Sequence, residues 1–109
     1  MSDKEFEKKL SELRGEIDAV DAELLSIVGR RLKISVAIGA LKSRNHRPIL
    51  DAQREDQLVG SRVGGGADHG IPASMVRAMF AQILSSTREV VAVRVATPQD
   101  VSNRQEAKS

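Results

Sequence analysis

The sequence predicts an all-α protein, and both its composition and the spacing of its apolar residues support this fold class. The 109 residues include no Trp, no Tyr, only two Phe and three Pro, so the core must consist of aliphatic side chains and Met. That composition is typical of helical bundles. Apolar residues recur at alternating steps of three and four, which places them along one face of a helix. Breaks at residues 45–48 and 64–70 divide the chain into three predicted helices.

The first predicted helix is also the longest. Ser2 and Glu5 have the spacing of a capping box, which predicts a start near residue 3. An apolar seam then runs to Leu41, and Pro48 disfavours helical backbone at the residue before it. A helix of about 40 residues measures on the order of 60 Å, so it cannot bury its seam within so short a chain. We therefore expect it to pair with the same helix of a second copy. The seam consists of Leu10, Leu13, Ile17, Val20, Leu24, Ile27, Ile34, Ile38 and Leu41.

Two shorter helices complete the predicted fold. The second spans residues 49–63 and ends at Gly64 to Gly66, with a flexible loop over residues 67–70. Pro72 suits the first turn of the third helix. Residues 96–109 lack periodicity, so we expect a helical domain over residues 1–95 and a disordered tail over residues 96–109. The apolar stripe of the third helix consists of Val76, Phe80, Ile83, Thr87 and Val91, flanked by Met75, Met79, Leu84 and Val90.

Charge and composition argue against several classes of protein. The formal net charge is only +2, without the basic stripe and stacking aromatics that nucleic-acid binders use. No apolar run approaches the roughly 18 residues of a membrane span. The absence of Cys excludes thiolate chemistry, and His46 and His69 lie in separate loops, so we expect no metal site. With a charged N-terminus that lacks an apolar leader, these features favour a cytoplasmic protein.

Four basic residues are candidate ligands for an anion: Arg14, Arg31, Lys42 and Arg54. Arg31 occupies a seam position between Ile27 and Ile34, and burying an unpaired guanidinium costs several kcal/mol. Lys42 follows eleven residues later, within about 20° of the same helix face. Both side chains can therefore reach an anion held between them. Arg14 lies about 25 Å from Arg31 along the helix, so it can serve such a site only from an antiparallel partner.

The residues alone also allow a purely structural role for these cations. Arg14 and Lys42 would then be solvated or paired with acidic residues across a helical interface. Arg31 would form a buried ion pair with Asp21 or Glu23 of a partner.

The pattern of polar residues closely resembles that of the all-α (AroQ-type) chorismate mutases over residues 10–91. This resemblance implies an intertwined homodimer of three-helix protomers with two active sites and no cofactor. The residues that carry it are Leu13, Arg14, Ile17, Asp18, Asp21, Leu24, Leu25, Arg30, Arg31, Gly39, Lys42, Arg47, Pro48, Ile49, Asp51, Arg54 and Glu55.

The same resemblance implies a role for each basic residue. Arg14 of the partner protomer and Arg31 would bind substrate carboxylates. Lys42 would reach the bridging ether oxygen and a carboxylate. Arg54 would lie on the side of the substrate that bears the ring carboxylate and support its binding.

The remaining site residues implied by the resemblance lie on the second and third helices. Asp51 and Glu55 would hold the substituent at C4 of the ring. Thr87 and Val91 occupy positions where the family usually has a Ser and, four residues later, a Gln or Glu directed at the ether oxygen. Val91 cannot donate a hydrogen bond, and losing one such donor costs on the order of 3 kcal/mol.

The implied reaction is the Claisen rearrangement of dianionic chorismate to prephenate, an isomerisation in aromatic amino acid biosynthesis that needs no nucleophile, metal or cofactor. The departure at Val91 leaves three alternatives. One is rearrangement of 4-amino-4-deoxychorismate on a route to aminated aromatic metabolites, including antibiotics. The others are an isochorismate-pyruvate lyase and a non-catalytic dimeric helical interaction module.

Overall fold

The computed structural model of the protein describes residues 1–96, and all regular secondary structure in that range is helical. Helix α1 spans Asp3–Arg44, α2 spans Ala52–Asp68 and α3 spans Ala73–Ala96. The prediction of three helices and no strands is therefore confirmed for residues 1–96. The chain divides into two units, Met1–Ile34 and the part from Ser35 onward, and α1 contributes residues to both.

The unit over Met1–Ile34 consists of the N-terminal cap and the first part of α1. The backbone N–H of Glu5 donates to Ser2 Oγ at 3.1 Å, so the predicted cap is present. Asp3 and Glu5 add negative charge to the first turn, where the helix dipole favours it. Five aliphatic side chains of the seam are between 48% and 59% exposed in this unit: Leu13, Ile17, Val20, Leu24 and Ile27.

In the unit from Ser35 onward, α2 packs against α3. Among the described residues, the buried hydrophobic side chains are Leu58 of α2 and Val76 and Val91 of α3. Both valines belong to the predicted stripe of α3, so this stripe is the packed face of the helix. Its other members are half-buried: Phe80, Ile83 and Thr87.

The predicted ends of the second helix are wrong on both sides. Helix α2 begins at Ala52 rather than residue 49, because Asp51 has extended backbone and caps the helix with its side chain. It ends at Asp68 rather than residue 63, so the glycine run from Gly64 to Gly66 lies inside the helix.

The stop signal of α2 is Gly70, which has a φ of 72°. The N–H of Ile71 donates to Gly66 O at 2.9 Å, and the N–H of Gly70 donates to Ala67 O at 3.1 Å. These two bonds form a Schellman motif, in which a residue with left-handed backbone follows the helix cap. The predicted loop over residues 67–70 is therefore the last turn of α2 and its cap.

Gly66 serves a different purpose from the stop signal. It is buried, and a Cβ added there would collide with Val76 Cγ2 of α3. The missing side chain thus lets the start of α3 approach α2 closely.

The last described helix includes Ala96, the first residue of the predicted tail. Helix α3 ends at Ala96, and the remainder of the predicted tail, residues 97–109, lies outside the described residues. None of the helices within residues 1–96 is both long enough and apolar enough to cross a membrane.

Candidate active site

Lys42 is held at the end of α1 through both its backbone and its side chain. The N–H of Arg47 donates to Lys42 O at 2.8 Å, and His46 has left-handed backbone with a φ of 55°. A second Schellman motif therefore ends α1 at Arg44, as Pro48 predicted. Lys42 Nζ donates to Ile49 O at 3.3 Å. The Lys42 ammonium thus lies at the carbonyl of Ile49, two residues before the N-cap of α2.

The start of α2 carries the three polar residues that the sequence analysis assigns to this helix. Asp51 Oδ1 accepts a hydrogen bond from the N–H of Arg54 at 3.0 Å, which makes Asp51 the N-cap. The N–H of Glu55 donates to Asp51 O at 3.1 Å in the first turn. Asp51 therefore has a structural role through Oδ1, while the exposed Arg54 side chain extends from the same turn.

Glu55 contacts α3 through an ion pair that the sequence pattern does not predict. Arg88 Nη1 lies 2.5 Å from Glu55 Oε1 and donates a hydrogen bond to it. The side chains are 26% exposed for Glu55 and 46% for Arg88. Arg88 directly follows the half-buried Thr87, but it lies outside the apolar stripe. The sequence signal for Arg88 is limited to its position directly after Thr87, a residue already assigned to the site.

Val91 is buried in the contact between α3 and the last part of α1. A Cβ added at Gly39 would lie 2.6 Å from Val91 Cγ1 and 3.2 Å from Val95 Cγ2. Gly39 therefore allows a close approach of the two helices. Lys42 follows three residues later, and residues at this spacing are neighbours on a helix surface. The valine at position 91 thus packs one turn away from the predicted catalytic lysine.

The structure describes Arg14 and Arg31 within the unit Met1–Ile34. The Arg14 side chain is exposed and that of Arg31 is half-buried. The residues that the structure brings together are in the other unit: Lys42 with the start of α2, Glu55 with α3, and Val91 with Gly39.

The part of the chain that the structure describes has no group of three or more His, Cys, Asp or Glu side chains that could hold a metal ion. The chemistry that the side chains at the α1–α2 corner and on α3 offer is electrostatic. A lysine and an arginine flank carboxylates near the α1–α2 corner, and a second arginine lies on α3. Such a set can bind and orient a polar anion.

Over residues 1–96 the structure is an all-helical protein in which Lys42 contacts the segment before α2 and Glu55 of α2 pairs with Arg88 of α3. The sequence profile of the family chorismate mutase type II matches residues 13–92, and the chain belongs to this family. Family membership and the names of the relatives indicate an isomerase, which confirms the predicted class of enzyme.

Two relatives carry names that specify an aminated substrate. The chain is 35% identical over 78 residues to the 4-amino-4-deoxychorismate mutase of Streptomyces pristinaespiralis, covering 72% of this chain and 60% of the relative. It is 32% identical over 79 residues to the 4-amino-4-deoxychorismate mutase of Streptomyces venezuelae, covering 72% and 77%.

A third relative is the bifunctional chorismate mutase/prephenate dehydratase of Escherichia coli strain K12, 31% identical over 81 residues. These residues cover 74% of this chain but only 21% of that protein. The chain therefore spans about a fifth of the bifunctional relative.

Proposed function

We propose that the protein catalyses the Claisen rearrangement of chorismate to prephenate by electrostatic clamping of the dianionic substrate. The observation that carries this proposal is the α1–α2 corner. There Lys42 is fixed beside the helix start that bears Asp51, Arg54 and Glu55. The proposed rearrangement makes and breaks bonds within one substrate molecule, so it requires no nucleophile from the protein.

The enzyme must lower the barrier in two ways. It must hold the substrate in the compact conformer in which the reacting atoms meet, and it must stabilise negative charge that develops on the ether oxygen. Arg31 and Arg54 serve the first task by binding carboxylates. Lys42 serves the second, since a preorganised ammonium stabilises developing charge without reorganising during the reaction.

The proposal is tested by substituting two of these cations. We expect Arg31→Ala and Lys42→Ala each to reduce turnover of chorismate by a factor of about a hundred or more. Circular dichroism should show unchanged helical content for both variants. Lys33→Ala is a matched control, because it removes an exposed positive charge from α1 without altering the proposed site. Loss of helical content or thermal stability, with no specific loss of rate, would instead assign these residues a structural role.

A second part of the proposal is that the active enzyme is an intertwined homodimer to which each protomer donates Arg14. The support is the row of seam side chains in Met1–Ile34, which are about half exposed. Burying the exposed half of an aliphatic side chain contributes about 1 kcal/mol. The five seam residues of this unit would therefore contribute several kcal/mol per protomer on pairing with a second copy.

The runner-up substrate is 4-amino-4-deoxychorismate, favoured by the names of the two Streptomyces relatives. The two candidate substrates differ only in the group at C4. A parallel assay with chorismate, 4-amino-4-deoxychorismate and isochorismate, following substrate loss and product identity, distinguishes them. Turnover of isochorismate to pyruvate would favour the lyase alternative.

A further inference from the structure

The ion pair between Glu55 and Arg88 joins α2 to α3 at a point that the proposed function assigns to substrate recognition. Both side chains are partly exposed, and ion pairs at such positions contribute little to folding stability. The contact nevertheless joins two helices, with Arg88 Nη1 donating to Glu55 Oε1. The contact places the positive charge of Arg88 directly beside the Glu55 carboxylate.

Where Glu55 faces the C4 substituent, as the proposed function assigns it, the charge around its carboxylate influences which substituent is preferred. An isolated carboxylate attracts an ammonium group more strongly than a neutral hydroxyl. A carboxylate already paired with a guanidinium has little net charge to offer, and the nearby Arg88 also repels a second cation. Glu55 Oε2 is not part of the bond to Arg88. It can accept a hydrogen bond from a neutral hydroxyl.

We propose that Arg88 is a specificity-determining residue that neutralises Glu55 and thereby favours a hydroxyl over an ammonium at C4 of the substrate. This inference rests on the proposed function, because it assigns Glu55 to the C4 substituent. Arg88 acts through Glu55 and is a positioning residue rather than a catalytic one. The wild-type protein should therefore prefer chorismate over 4-amino-4-deoxychorismate.

The test measures kcat/KM for both compounds in the wild type and in three variants. Arg88→Met removes the charge and keeps much of the side-chain length, so the ratio of the two kcat/KM values should shift towards the amino compound by about tenfold or more. Arg88→Lys keeps the charge and should leave the ratio within about threefold of the wild type. Arg77→Met is the matched control, because Arg77 is another exposed arginine of α3. It should leave the ratio unchanged.

The ratio of the two kcat/KM values distinguishes a role in specificity from a structural role, since a general loss of folded protein lowers both rates equally. Circular dichroism of each variant verifies the fold. An unchanged ratio in Arg88→Met, or a wild type that prefers the amino compound, would overturn this inference and leave the proposed rearrangement chemistry standing. A wild type that turns over neither compound would overturn both.

Discussion

Val91 is the residue where the chain departs from the polar pattern that the family resemblance implies, and the structure explains how a valine fits there. Its Cγ1 lies against the bare backbone of Gly39, and the side chain is 5% exposed. A β-branched residue fills that space well because it places two methyl groups on Cβ. Val91 therefore packs against Gly39 but lacks the hydrogen-bond donor that the family resemblance implies at this position, one turn after Thr87.

Substituting Val91 tests whether this position controls catalysis. We expect Val91→Gln to raise the rate with chorismate by an order of magnitude or more, because the introduced amide can donate to the ether oxygen. The rate with 4-amino-4-deoxychorismate should be measured in parallel. A wild type that already prefers this compound, and a substitution that shifts the preference towards chorismate, would identify an enzyme adapted to the amino substrate. Val91→Leu serves as a control of similar bulk without a donor. If neither rate changes, residue 91 does not face the substrate.

At the scale of the helices, the glycine run in α2 contains positions with opposite requirements. An added Cβ at Gly64 would meet nothing within 4 Å, whereas at Gly66 it would collide with Val76. We expect Gly64→Ala to raise the free energy of unfolding by roughly 1 kcal/mol, because alanine favours helix over glycine. Gly66→Ala should lower it by about 1–3 kcal/mol through overpacking. Urea denaturation measures both, and combining Gly66→Ala with Val76→Ala should show coupling between the two sites.

The helix ends show which features could be predicted from sequence. The start of α1 depends on Ser2, which accepts from the N–H of Glu5, and its Schellman motif lies just before Pro48. These signals act on their immediate neighbours, so the local pattern predicts both ends. The end of α2 was mispredicted because a glycine run was interpreted as a break. Within that run Gly66 packs against Val76 of α3, and the stop signal is Gly70, whose backbone is left-handed.

The candidate site divides in the same way. The Asp51 cap and the position of Lys42 near the start of α2 follow from residues close in sequence. The pairing of Glu55 with Arg88 spans 33 residues and depends on how α2 packs against α3. The spacing of residues within one helix carries no information about such a contact, so Arg88 could not be identified from the pattern.

At the scale of the whole molecule, the proposed homodimer determines whether the site is complete. We expect sedimentation or small-angle scattering to show a dimer at micromolar concentration, because the seam side chains of α1 are otherwise left half in water. A monomer under these conditions would rule out both the interface and the donated Arg14.

Mixing two inactive variants tests directly whether Arg14 crosses the interface. If each site combines Lys42 of one protomer with Arg14 of the other, a hybrid of Arg14→Ala and Lys42→Ala protomers has one intact site and one doubly substituted site. Unfolding and refolding the variants together should then restore about a quarter of the wild-type turnover, since half of the dimers are hybrids with one working site each. Mixing Arg31→Ala with Lys42→Ala is the control, because both residues serve the site of their own protomer and every site retains a defect. Equal failure of the two mixtures, with hybrids verified by mass spectrometry, would show that Arg14 is not donated by the partner.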